Sequence, residues 1–206
     1  MDNIEKLQTS YDIGVKKAAK QYAYAKGSLV VAYSAVMVCG ISLAVFLFKG
    51  AQAEVAALSY ESLVSYFKTT NMLTGALYSF ILPFLSAIVC FYSGFCIIAN
   101  PLPVFMLLVN ALYGGTLACV IYNGGNLLMC IAFCFPFLLM CLALSLFATE
   151  GTTFRKISKE HNKSISDILY HKNLFSYISL FATPLALLIA SSMMSFVLPS
   201  LCARYI

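Results

Sequence analysis

Three sets of side chains in this 206-residue sequence are of types that do chemistry: eight cysteines, two histidines and one glutamate that stands apart from other charges. The cysteines occupy positions 39, 90, 96, 119, 130, 134, 141 and 202. Cys130, Cys134 and Cys141 recur at helical spacing and share one face, the arrangement from which a soft thiolate metal site would be built. No paired motif accompanies them, so the expectation is free thiols that pack as small polarisable groups, with no metal and no cofactor. His161 and His171 match no common zinc-helix spacing and are expected to be ordinary loop residues. Glu150 precedes Gly151 at the end of a long neutral run. Its expected partner is Arg155 or Lys156 of the same loop, and as an acid at a helix C-terminus it would oppose the helix dipole.

That neutral run is the feature that must position everything else. From Thr69 to Thr149 the chain carries no Asp, Glu, Lys, Arg or His. A bilayer core takes about 20 apolar residues per helical crossing, so the run, broken by turn residues at two places, divides into three spans. The composition agrees, at 61% hydrophobic and 10% charged against a soluble norm of about 25% charged. Two further apolar stretches bring the count to five spans, with limits near 29–48, 72–98, 102–122, 127–148 and 177–199. The expected fold is all-α: a polytopic integral membrane protein, a bundle of five transmembrane helices with amphipathic interfacial helices. Residues 1–28 form a cytoplasmic amphipathic segment and 29–206 a single transmembrane domain; no soluble stretch is long enough to bury a core of its own. The first span starts too deep in the chain for a signal peptide.

Basic residues set the expected orientation. Lys6, Lys16, Lys17, Lys20 and Lys26 precede the first span, while Arg155, Lys156, Lys159, Lys163 and Lys172 lie between the fourth and fifth. Four crossings put both groups on one side, leaving Lys49, Lys68 and Arg204 on the other. The bias predicts a cell-membrane protein with a cytoplasmic N-terminus and an external C-terminus. The net charge of +5 is what anionic lipid headgroups attract, and needs no nucleic acid.

Between the spans, Ile4, Leu7, Tyr11, Val15 and Tyr22 recur at three-to-four-residue intervals, predicting a helix on the inner leaflet. Tyr60, Leu63, Val64 and Phe67 repeat the pattern outside and form a candidate partner surface. Pro101 and Pro103 predict a tight hairpin between spans two and three. Gly124 and Gly125 do the same between spans three and four. Ser164 and Asp167 signal a short helix start in the inner loop. Pro83, Pro136 and Pro184 lie inside spans and are expected to kink them, with a central cavity as the possible outcome. Small residues spaced by four, at Gly40 and Ala44, Ala111 and Gly115, Gly114 and Ala118, and Ala182, Ala186 and Ala190, suit close helix approach within a bundle or a homo-oligomer.

Intramembrane catalysis needs an ionisable or metal-bound group near the reacting atom, and the predicted spans offer none. A proton-coupled pump needs buried Asp, Glu or His, and a voltage sensor repeated Arg. No phosphate-binding loop is present. The neutral polar residues within reach of the bilayer, Asn71, Ser79, Ser86, Ser93, Asn100, Asn110, Thr116 and Ser145, fit interhelical hydrogen bonds and caps.

In order along the chain, Asn71, then Ser93-Gly94-Phe95 through Asn100-Pro101-Leu102-Pro103, then Asn110-Ala111-Leu112-Tyr113-Gly114-Gly115, then Phe135-Pro136-Phe137 resemble the stage II sporulation protein M family over about residues 67–155. The family commonly carries a His-Gly and a Glu around the span-four proline; here Phe137 follows Pro136 and the nearest downstream acid is Glu150. The resemblance implies a noncatalytic membrane scaffold or anchor that recruits peptidoglycan-remodelling partners during sporulation engulfment. Asn71, Gly94, Pro101, Gly114, Gly115 and Pro136 would be its structural positions. The expected partners are membrane lipids, other membrane or cell-wall-remodelling proteins and a second copy of the chain. The alternative is a membrane subunit of a transport or export complex.

Overall fold

In the computed structural model, residues 26–48, 53–93, 101–124, 126–160, 178 and 180–205 are described, with the side chains of 53–58 and 154–160 outside that description. The expected N-terminal helix, Gly94, His161, His171 and the helix start at Ser164 all lie outside the described residues. Every described element is helical. They are α1 (Lys26–Phe48), α2 (Ala53–Thr69), α3 (Met72–Ser93), α4 (Pro101–Asn123), α5 (Leu127–Glu160) and α6 (Ala182–Arg204).

Five of the six are long and apolar enough to cross a membrane: α1, α3, α4, the Leu127–Thr153 part of α5, and α6. The fold is an all-α multi-pass membrane bundle, and its surface is apolar where a soluble protein would be charged. Phe46, Leu73, Tyr122, Leu127, Leu128 and Phe135 all stand well exposed. Such side chains need a hydrocarbon solvent, and helices can offer them one because their backbone polar groups are satisfied internally.

Helix α5 is the hub, packed against α6, α3 and α4, while α2 lies across α6 and α4. Two sequence expectations meet at one crossing. A Cβ on Gly40 would come 2.6 Å from the Ala111 Cβ, and one on Gly115 would come 2.8 Å from the Ala44 Cβ. The small pairs of α1 and α4 thus face each other and let the two backbones touch, the form of adhesion available where lipid removes the hydrophobic drive. The Ala182, Ala186 and Ala190 stripe behaves differently. It faces outward, and α6 instead turns Leu188, Ser191, Ser192, Ser195 and Phe196 inward.

Among the described residues, side-chain hydrogen bonds tie helices together. Tyr33 joins Thr152 at 2.6 Å between α1 and α5, and the Asn110 amide donates to Ser86 Oγ at 2.5 Å between α4 and α3. Ser79 Oγ donates to the Ser192 carbonyl at 2.7 Å, and Ser200 Oγ to the Phe67 carbonyl at 2.8 Å. A buried hydroxyl left without a partner is costly in lipid, so each bond also fixes which faces can meet. Within α5, Ser145, Thr149 and Thr153 each return a hydroxyl to the carbonyl four residues back, which satisfies these groups without leaving the helix.

Three boundaries differ from expectation. The fourth span was expected to end at 148; its apolar part reaches Thr153 and the helix α5 runs on through Glu160, with Gly151 inside it packed against the Cys90 carbonyl. The fifth span was expected over 177–199; its helix starts at Ala182 and reaches Arg204. Pro184 therefore sits in a first turn, where no N–H is needed, and does not kink a continuous span. Phe181 is a turn residue whose N–H donates to the Ile178 carbonyl at 3.0 Å. Pro83 and Pro136 do lie inside α3 and α5, both buried.

Candidate functional site

Two polar places stand out in an apolar molecule, one at each end of the bundle. At the end where α1 begins, Glu150 is 7% exposed at the side chain and pairs with Lys26 of α1; the side chains of Arg155 and Lys156, its expected partners, lie outside the described residues. Its place in the helix also removes the expected clash with a helix dipole: Glu150 lies well inside α5, more than a turn from its C-terminus. Glu150 Oε2 has no hydrogen-bond partner among the described residues. Around the pair, Thr152 holds Tyr33, and Gly151 lies so close to α3 that a Cβ there would strike the Cys90 carbonyl. This junction clamps α1, α3 and α5 together at one membrane face.

At the opposite end, a cavity of about 130 Å³ lies between α2 and the middle of the bundle. Its walls are largely aromatic: Tyr66 and Phe67 from α2, Tyr78 from α3, Tyr113 from α4, Phe137 from α5 and Phe196 from α6. Two glycines make this possible. A Cβ at Gly75 would fall within the Phe196 ring and one at Gly114 within the Phe137 ring. The rings support one another, with Phe67 and Phe196 centroids 5.3 Å apart and Tyr66 edge-on to Phe196 at 5.7 Å. Pro83 lines the cavity as well. Partial burial, with the Tyr113 and Tyr78 hydroxyls nearby, raises the Tyr66 pKa above the usual tyrosine value.

The polar groups of the cavity are committed in one sense. Asn110, 1% exposed, donates through Nδ2 to the Met106 carbonyl at 2.9 Å and to Ser86 Oγ, which itself donates to the Leu82 carbonyl at 3.0 Å. A carbonyl only accepts, so this network fixes the amide orientation. Asn110 Oδ1 is left buried and without a partner among the described residues. Ser79 and Ser195 spend their hydrogens on backbone carbonyls, at 2.7 Å each to Ser192 O. What remains for an occupant deep in the cavity is the Asn110 acceptor, with the hydroxyls of Tyr66, Tyr78 and Tyr113 on the walls.

The other predicted positions that are described lie at helix ends and helix contacts. Asn71 caps α3, its Oδ1 accepting from the Leu73 N–H at 3.2 Å. Pro101 is the first residue of α4. Gly114 seats the Phe137 ring, Gly115 seats α1, and Pro136 is buried in α5.

The expected partner surface needs correcting. Phe67 is buried and Tyr60, Leu63 and Val64 are half-buried against the core. The Tyr60 ring lies over Gly124, where a Cβ would overlap it. The amphipathic face of α2 was identified, but its apolar partner is the bundle itself, which offers far more apolar contact than the headgroup layer. Outward stand Glu61, Ser62, Ser65, Lys68 and Thr69.

Cys130 and Cys134 bring their sulfurs to 3.8 Å, one helical turn apart. Among the described residues, no group of three or more His, Cys, Asp and Glu is gathered as a metal would require. Lys26 as the partner of Glu150 was missed by sequence reasoning. The signal was available: four crossings return the chain to the side on which Lys26 starts. Compared with family models, curated proteins and solved structures, the chain finds no match.

Proposed function

We propose that this chain is a noncatalytic membrane scaffold or anchor, oriented with its N-terminus in the cytoplasm, that holds wall-remodelling proteins at the cell membrane in the manner its sporulation-family likeness implies. The observation that carries the reading is the placement of the neutral run. Helices α3, α4 and most of α5, which contain it, pack around one another, and the first acid beyond it, Glu150, is held by Lys26. Among the described residues, the acid at the edge of the run is spent on holding the bundle. Its partner surface is the outward side of α2, where Glu61 and Lys68 are exposed.

Charge reversal tests this surface without touching the core. In sporulating cells, cross-linking of Glu61→Lys, Lys68→Glu protein is expected to recover about tenfold less peptidoglycan hydrolase than wild type, a loss of about 1.4 kcal/mol that lies within the cost of misplaced like charges at an interface. Equal recovery overturns the reading. Orientation has its own check. With native cysteines replaced, Ser62→Cys on α2 is expected to react with an impermeant maleimide added outside intact cells, and Ser28→Cys on α1 only after permeabilisation. The reverse pattern would invert the topology.

A second reading, a membrane subunit of a transport or export assembly, is favoured by the cavity beneath α2 beside Pro83. Co-purification with a nucleotide-hydrolysing subunit would carry it.

A further inference from the structure

We propose that the cavity beneath α2 is a binding site for a small uncharged molecule that carries one O–H or N–H donor on an apolar, ring-sized body. Volume sets the size. About 130 Å³ is close to the roughly 150 Å³ of an engineered apolar cavity that accepts benzene. The walls set the body, because Tyr66, Phe67, Tyr113, Phe137 and Phe196 present aromatic surface suited to a flat apolar group. The hydrogen bonds set the polar end. Asn110 Oδ1 is buried and unpartnered among the described residues, while Ser79 and Ser195 have given their hydrogens to the Ser192 carbonyl. A ligand that donates one hydrogen completes the Asn110 amide; a ligand that only accepts leaves it orphaned.

Charge is decided by what the walls lack. Among the described residues no acid lines the cavity, and a cation brought among these rings would lose its water without a counter-charge, which ring quadrupoles alone offset only in part. The neutral donor is the species that gains a hydrogen bond without that loss. On the side of α2 the cavity is lined by Leu63, Tyr66 and Phe67. This site is independent of the scaffold reading: it concerns the inward face of α2, and the partner surface the outward one.

The test uses the full chain in lipid nanodiscs, with empty discs as the blank, and follows fluorine NMR line broadening of three probes. para-Fluorophenol is expected to bind saturably. para-Fluorotoluene, which replaces the donor by a methyl of similar size, is expected to bind about tenfold more weakly, as is para-fluorophenol to Asn110→Leu protein. Leu117→Phe, which pushes a ring into the cavity from α4, is expected to abolish binding. If Asn110→Leu fails to fold, the two probes on wild type still decide the matter. Equal binding of fluorophenol and fluorotoluene, a signal no larger than that of empty discs, or tighter binding of para-fluorobenzylammonium would each overturn the proposal.

Discussion

Lys26→Met is expected to destabilise the bundle by about 2–3 kcal/mol, measured as unfolding in mixed micelles. Removing one member of a buried ion pair leaves the other charge desolvated and unpaired, at a cost of about 3–5 kcal/mol when both are fully buried. Lys26 is 31% exposed and Glu150 only 7%, so water screens part of the pair and the figure is reduced accordingly. The cost arises on the glutamate side. Glu150 Oε2 already lacks a partner among the described residues, and losing the ammonium leaves the carboxylate with one contact fewer in an apolar setting. Adding Glu150→Gln to Lys26→Met is therefore expected to restore most of the loss, since an amide tolerates the site better than an unpaired charge. If Lys26→Met unfolds at the wild-type midpoint, the pair contributes nothing and the junction is held by packing alone.

The same substitution at two glycines is expected to have opposite signs. At Gly151 a Cβ would strike the Cys90 carbonyl and lie 3.1 Å from Ser93 Oγ, so Gly151→Ala must push α3 and α5 apart. Backbone cannot rotate away as a side-chain tip can, and overpacking of this kind costs about 1–3 kcal/mol. At Gly27 an added Cβ meets nothing within 4 Å, and Gly27→Ala is expected to be neutral or to stabilise by up to about 1 kcal/mol through helix propensity. Unfolding curves for the two variants in the same micelles provide the comparison. Equal destabilisation would mean that helix contact at Cys90 does not limit the packing.

The bundle was legible in the sequence because hydrocarbon solvent leaves a one-dimensional record. An uncharged run from Thr69 to Thr149 has few folds open to it in water, and its division into three spans followed from crossing length alone. The ends were less legible. Gly151 looked like a stop beside Glu150, yet it serves as a contact point against Cys90, a three-dimensional fact with no local signature. Pro184 read as a kink because the hydropathy of Tyr177 to Pro199 is continuous; the helix start at Ala182 gives the proline a place where no N–H is missed. For α2, periodicity correctly grouped Tyr60, Leu63, Val64 and Phe67 but carried no information on what they face. The cavity was the least accessible feature. Asn110 was visible as a neutral polar residue within a span, but its unpaired carbonyl depends on Ser86 and Met106 taking both amide hydrogens, and its aromatic walls come from five helices.

One consequence of α5 concerns mechanics. Its 34 residues extend about 50 Å at 1.5 Å per residue, well beyond a hydrocarbon layer of about 30 Å. From Phe137 to Glu160 no proline interrupts it, and the membrane-embedded part is the helix on which α3, α4 and α6 all pack. A load applied to the projecting stub would act as on a tiller, turning the whole inner assembly as one piece, with the Lys26–Glu150 pair as the fulcrum.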